Sequence, residues 1–104
     1  MVTAALLLQA AQIAPLVFEA LRKAGEMPNV PMPTAGGEVF WKTLAEKNGW
    51  KVQQNMTLGN CRILDPANWR VAWGGTAALD VFLEQMPLLA DACAKAQKSG
   101  GKAA

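Results

Sequence analysis

Histidine and tyrosine are absent from this 104-residue chain, and charged residues make up only 17% of it. The lack of histidine excludes catalytic triads, metal sites and general bases that depend on an imidazole. Low charge combined with 52% hydrophobic residues excludes intrinsic disorder for most of the chain. A chain of this length buries enough surface for one core, so we expect one domain overall.

Cysteine is scarce, with only Cys61 and Cys93 in the chain. A secreted protein of this size usually carries a denser set of disulfides, and no CxxC pair is present to bind metal or to cycle between redox states. We interpret the two residues as free, buried thiols in a reducing compartment. The sequence therefore predicts a cytoplasmic location.

The first eighteen residues carry no charge, so the N-terminus could be mistaken for a targeting or membrane segment. A secretory signal needs a basic region before its apolar run, and this chain has none. A transmembrane helix needs about 20 predominantly apolar residues, whereas Gln9 and Gln12 interrupt this stretch. Membrane association is therefore disfavoured.

Residues 3–24 have apolar side chains at spacings of three and four, which predicts an amphipathic helix. Pro15 lacks an amide hydrogen and crowds the preceding turn, so we expect a kink or a break there. This N-terminal helical arm comprises residues 1–26. Its wide apolar face carries Leu6, Ile13, Val17 and Leu21.

Residues 27–37 contain three prolines and end in two glycines, a composition typical of a stiff extended spacer. This spacer separates the arm from a compact α+β core over residues 38–98. Residues 99–104, with the sequence SGGKAA, are expected to form a flexible tail.

The core begins with a short helix predicted over residues 38–47, where apolar and polar side chains separate at helical spacing. Alternating patterns then predict three strands over residues 50–56, 61–65 and 69–73, each bounded by turn residues. The third could instead be helical, because Pro66 suits a first helical turn. Residues 76–98 form the last predicted helix, which Pro87 kinks or splits.

These elements predict an α+β fold: a small three-stranded antiparallel meander packed with an N-terminal kinked helix, a short central helix and a C-terminal kinked helix. Apolar side chains alternate along each predicted strand and therefore share one face of the sheet. The helices should cover that face.

Four tryptophans lie close together in the sequence, at positions 41, 50, 69 and 73. Exposed aromatic rings beside cations could stack on nucleic-acid bases. The alternation instead places Trp50, Trp69 and Trp73 on the faces of apolar residues, with basic residues opposite. We therefore expect these tryptophans to belong to the core.

The opposite strand face carries Lys51, Arg62 and Arg70, which makes it a candidate surface for phosphates or an acidic partner. The other interpretation is an ordinary solvated sheet face. A net charge of +2 does not by itself imply a nucleic-acid partner.

No catalytic constellation is visible. Cys61 and Cys93 have no histidine base nearby and lie on predicted core faces, and the acids are scattered over polar helix faces. We therefore predict a protein that is not an enzyme, with no cofactor and no metal ligand.

The leading functional hypothesis is a non-enzymatic protein-interaction module that self-associates, most simply as a dimer, through its apolar terminal helices. A heterologous protein partner is also compatible with such faces. One alternative is a small nucleic-acid-binding module that uses the basic strand face. Another is a small-molecule-binding protein with an aromatic-lined pocket between the sheet and the helices.

Overall fold

A computed structural model describes residues 15–24 and 32–103. Within these ranges the chain forms an α+β domain, with two helices and a 3₁₀ turn (Thr76–Ala78) beside one antiparallel sheet. The helices are α1 (Pro15–Ala24) and α2 (Leu79–Ala103). The five strands are β1 (Met32–Pro33), β2 (Trp41–Lys47), β3 (Trp50–Asn55), β4 (Cys61–Leu64) and β5 (Trp69–Gly74).

The α+β class and the three predicted strands are confirmed as β3, β4 and β5. The helical alternative for residues 69–73 is wrong, because Trp69–Gly74 pairs with β4 along its length. The sheet is larger than the predicted meander: its order is β1-β5-β4-β3-β2.

The predicted short central helix is wrong, since residues 41–47 form the edge strand β2. Asn48 and Gly49 have φ values of 53° and 88° and join β2 to β3. Two positive φ values in a two-residue loop are typical of a hairpin turn, for which Asn-Gly is the preferred pair. The same two residues can also end a helix, because both tolerate positive φ, so the pair does not distinguish a preceding strand from a preceding helix.

The remaining strand, β1, comes from the proline-rich spacer and pairs with β5 through Met32 and Pro33. Because β1 and β2 lie at opposite edges, residues 34–40 must cross the sheet. We call residues 34–40 the crossing segment. It is tied to the turn before β5, where the Thr34 hydroxyl donates to the Asn68 carbonyl at 2.6 Å.

The core lies between the sheet and the helices, where α2 packs across β2, β3 and β4 and α1 packs on α2 and β5. Its largest buried side chains include Trp50, Val52, Ile63, Phe82, Met86 and Leu89. Both cysteines are free and buried, as predicted. The cytoplasmic location inferred from them stays a prediction.

Helix α2 is continuous through Pro87, so this proline does not split it, and the helix extends to Ala103 beyond the expected end at residue 98. Gly75 precedes the 3₁₀ turn as its N-cap. Pro15 is the first described residue of α1, and the expected helix over residues 3–14 lies outside the described residues. No helix within the described ranges is long and apolar enough to cross a membrane.

Candidate functional site

The sheet face opposite the helices, which we call the outer face, carries most of the polar chemistry of the sheet. Val52 pairs with Ile63 on the core side, so the adjacent pair Gln53 and Arg62 points to the outer face. Arg62 also lies directly opposite Trp73 on β5. The register therefore places an amide, a guanidinium and an indole side by side across three strands.

Arg62 stacks on Trp41, with its guanidinium carbon 3.9 Å from the ring centroid. The two residues lie on β4 and β2, so the arginine side chain reaches across β3 to the edge strand. Only 8% of Arg62 is exposed. A partly desolvated cation over a tryptophan ring is strongly attracted by the negative face of the indole.

Gln53 connects this cation to a hydrogen-bond chain. Its Oε1 accepts from Nε and Nη2 of Arg62 at 2.9 and 2.7 Å, and its Nε2 donates to Oγ1 of Thr43 at 3.0 Å. The Thr43 hydroxyl in turn donates to the Glu38 carboxylate. This chain fixes the plane of the guanidinium and links β4 to the crossing segment.

A second arginine, on the neighbouring strand β5, also stacks on a tryptophan ring. The guanidinium carbon of Arg70 lies 3.9 Å from the Trp73 ring centroid, and its Nη2 contacts the Met32 sulfur at 3.0 Å. Its buried Nε has no hydrogen-bond partner. The outer face thus carries two stacked pairs, Arg62 on Trp41 and Arg70 on Trp73, which we call the arginine–tryptophan ladder.

Neither arginine of the ladder has a carboxylate partner among residues 15–24 and 32–103. The ion pair between Lys47 and Asp91, at 2.8 Å, instead joins β2 to α2. Burial and then the charge of Arg70 lower the pKa of Arg62 from its ordinary value. The ladder is therefore a partly buried concentration of positive charge without a matching acid in the described part of the chain.

The structure places all three residues of the predicted basic face, Lys51, Arg62 and Arg70, on the outer face. Lys51 lies opposite Leu64, and its Nζ is 3.3 Å from Oδ1 of Asn68. The predicted separation of tryptophans from cations is wrong for Trp73. A bulge in β5 between Arg70 and Ala72 breaks the simple alternation and leaves Trp73 with the arginines.

A shallow pocket of about 170 Å³ lies beside Arg62 on this face. Its walls include Gly36 and Gly37 of the crossing segment and the rings of Phe40 and Trp41. An aromatic-lined pocket was expected between the sheet and the helices. This one is on the other side of the sheet, because the crossing segment forms its wall.

Of the four residues predicted to mediate self-association, two lie within the described residues. Leu21 is 2% exposed and belongs to the core of its own molecule, and Val17 packs against that core. Leu6 and Ile13 lie outside the described residues. Leu16 (85% exposed) and Leu88 (51% exposed) are instead apolar side chains that the described helices leave exposed.

The cysteines lack the environment of a nucleophile. Burial raises the pKa of Cys61 to about 11, and burial followed by the charge of Asp65 raises the pKa of Cys93. Asp65 is itself buried and holds the turn before β5, where its Oδ1 accepts from the amides of Ala67 and Trp69, both at 2.9 Å. Within the described ranges no group of three or more Cys, Asp or Glu side chains could hold a metal ion.

Sequence reasoning missed Trp41 as a member of the site, and it did not predict that Gln53 binds Arg62. The helix predicted over residues 38–47 contains Trp41, and the predicted strand over residues 50–56 presents Gln53 as an ordinary polar side chain. Their roles depend on register across β2, β3 and β4, which the alternation within single strands does not reveal.

Comparisons of this chain with protein-family models, curated protein sequences and solved structures gave no match.

Proposed function

We propose that this protein is a non-enzymatic interaction module that binds an acidic segment of a partner protein on its outer face. The arginine–tryptophan ladder carries the proposal. Two partly buried guanidinium groups lie close together without an ion-paired acid in the described chain. A carboxylate brought by a partner would form charge-assisted hydrogen bonds and offset the cost of keeping these charges away from water.

A protein partner suits the outer face better than a nucleic acid. Sequence-independent nucleic-acid binding combines a track of cations along the phosphates with free aromatic rings on which bases stack. Here Trp41 and Trp73 each have a ring face covered by a guanidinium. The register also places Glu46 beside Lys51 on the same face, which interrupts the positive surface.

The direct test is a calorimetric titration with a glutamate peptide of about ten residues, at low salt and again at about 0.2 M salt. Binding should weaken with salt, and Arg70→Gln should reduce affinity about fivefold or more by removing one charge-assisted contact. Lys95→Gln is the matched control, since it makes the same change of charge on an exposed position of α2.

Three results would contradict the proposal. The peptide could fail to bind, Lys95→Gln could weaken binding as much as Arg70→Gln, or a single-stranded oligonucleotide of equal charge could bind more tightly than the peptide. The last result would assign the outer face to nucleic acid instead.

Self-association through the helices is a second candidate, favoured by the exposure of Leu16 and Leu88. We propose a dimer that buries these two side chains rather than Val17 and Leu21. Light scattering after size-exclusion chromatography should then show a dimer, and Leu16→Glu or Leu88→Glu should release a folded monomer. A wild-type monomer at all concentrations would contradict it.

A further inference from the structure

We infer that the pocket beside Arg62 is a carboxylate-binding site, which takes one carboxylate group attached to a small apolar body. The inference deepens the proposed function and rests on it, because it identifies where on the outer face an acidic partner would be anchored. It follows from the free edge of one guanidinium, the size of the pocket and the composition of its walls.

The hydrogen bonds of Arg62 leave one complete binding edge. A guanidinium has five N–H donors arranged on two edges that can each grip an acceptor. Gln53 occupies the edge formed by Nε and Nη2. The edge formed by Nη1 and Nη2 has no partner in the described chain, and two parallel N–H groups on such an edge match the two oxygens of a carboxylate.

This edge is also held in place before a ligand arrives. Trp41 supports one face of the guanidinium, and Gln53 fixes its rotation through two hydrogen bonds. Binding then costs little side-chain entropy, because the arginine is already ordered. Burial and the neighbouring charge of Arg70 disfavour the charged form of Arg62. A carboxylate bound to Arg62 would offset both effects.

The pocket accepts a small group only. Its volume of about 170 Å³ is close to that of a protein cavity that holds one benzene molecule, about 150 Å³. Pockets for drug-sized ligands are larger, roughly 300–1,000 Å³. The occupant is therefore a single acidic side chain, the carboxyl terminus of a chain, or a free small carboxylic acid.

The walls favour an apolar body behind the carboxylate. Phe40 is 64% exposed and lines the pocket together with Trp41. Gly37, on the crossing segment, also lines it, and a Cβ built on Gly37 meets nothing within 4 Å. Phe40 and Trp41 therefore supply the apolar surface that a ring behind the carboxylate would contact.

Benzoate is the probe of choice, because it joins a carboxylate to a ring that the pocket volume accommodates, and benzamide is its neutral counterpart. We expect benzoate to bind with a dissociation constant of about 1–10 mM, as for other very small ligands. Benzamide should bind about tenfold more weakly or not at all, because it lacks the charge. Nitrogen-15 NMR spectra should show shifts at the amides of Gly36 and Gly37 and at the indole of Trp41.

Two variants should abolish these shifts by different routes. Arg62→Gln removes the guanidinium, and Phe40→Ala removes an exposed aromatic wall of the pocket while leaving the arginine and the core intact. Lys95→Gln is the matched control, because it removes an equal charge from an exposed position of α2 and does not line the pocket. Equal binding of benzoate and benzamide, or equal loss in Lys95→Gln and Arg62→Gln, would overturn the inference.

Peptides separate the sources of the carboxylate. A peptide with a free C-terminal phenylalanine, its amidated form, and a peptide with one internal glutamate should be compared in the same assay. Loss of binding on amidation would identify a chain terminus, and retention by the internal glutamate would identify a side chain. If glutamate peptides bind the outer face but Phe40→Ala has no effect on any of these ligands, the pocket inference fails while the proposed function stands.

Discussion

Gln53 accepts both of its Arg62 hydrogen bonds through one oxygen, from Nε at 2.9 Å and from Nη2 at 2.7 Å. The pairing satisfies one edge of a partly buried cation and keeps the guanidinium flat against Trp41. The other edge of the guanidinium, formed by Nη1 and Nη2, has no hydrogen-bond partner among the described residues. The Gln53 side chain thus holds the guanidinium in place, and in the proposed function it leaves the other edge of Arg62 to an acidic partner.

Gln53→Met should destabilise the protein, because methionine matches the length of glutamine but forms none of its three hydrogen bonds. Arg62 would be left with unsatisfied donors, and we expect a loss of about 2–3 kcal/mol in the free energy of unfolding, measured with urea. Gln54→Met is the control: Gln54 is half-buried and makes one bond, to the Gly59 carbonyl, so its loss should be about 1 kcal/mol. Equal losses would show that the Arg62 network does not stabilise the fold.

Adjacent glycines of the crossing segment should respond very differently to alanine. Gly36 has a φ of 73°, and a Cβ there would come within 2.3 Å of the Asn68 side chain, whereas Gly37 has open space. We expect Gly36→Ala to cost about 2 kcal/mol or more and Gly37→Ala less than about 0.5 kcal/mol, as measured by thermal or urea unfolding. Similar costs for both would show that the segment is not held against the turn at Asn68.

Asp65 should make the free energy of unfolding depend on pH. Burial raises its pKa above the ordinary value of 3.8, and its Oδ2 has no hydrogen-bond partner. Between 3.8 and the raised pKa, the native state keeps a proton that the unfolded state has released, so stability falls as pH rises through this window.

Asparagine at position 65 keeps the oxygen that accepts from Ala67 and Trp69 but does not titrate. The free energy of unfolding of Asp65→Asn minus that of the wild type should therefore increase as pH rises from 3.8 to the raised pKa. A difference that stays constant over this range, or decreases, would contradict the burial of an ionisable carboxyl at this position.

Both thiols should be protected in the native state. With a pKa of about 11, Cys61 forms roughly a hundredfold less thiolate at a given pH than a thiol with the ordinary value of 9.0. An aryl disulfide reagent should react with the folded protein at least about a hundredfold more slowly than with protein in guanidinium. Cys61→Ala and Cys93→Ala assign the remaining reactivity, and fast reaction of either native thiol would place it at the surface.

The sequence predicted the central strands because β3 and β4 alternate regularly and end in unambiguous turn residues. It predicted a helix where β2 lies, because the apolar residues around Trp41 fit helical spacing as well as an edge strand. Strand β1 has only two residues, Met32 and Pro33, which is too short to leave a pattern. Its pairing depends on tertiary contact with β5.

The site was predicted only in part for a related reason. Arg62 and Arg70 were recognisable as cations on a strand face, but their stacking on tryptophans was not. Trp41 meets Arg62 across an intervening strand, and a bulge places Trp73 beside Arg70. Both contacts are set by register between strands rather than by periodicity within one.

The central claim is that an acidic partner binds the outer face through the arginine–tryptophan ladder. The most direct measurement is a nitrogen-15 NMR titration of the protein with the glutamate peptide, with assigned backbone, indole and arginine Nε signals. We predict that shifts concentrate at Trp41, Arg62, Arg70 and Trp73 and disappear at high salt. Shifts that instead concentrate on the helices, around Leu16 and Leu88, would contradict the account.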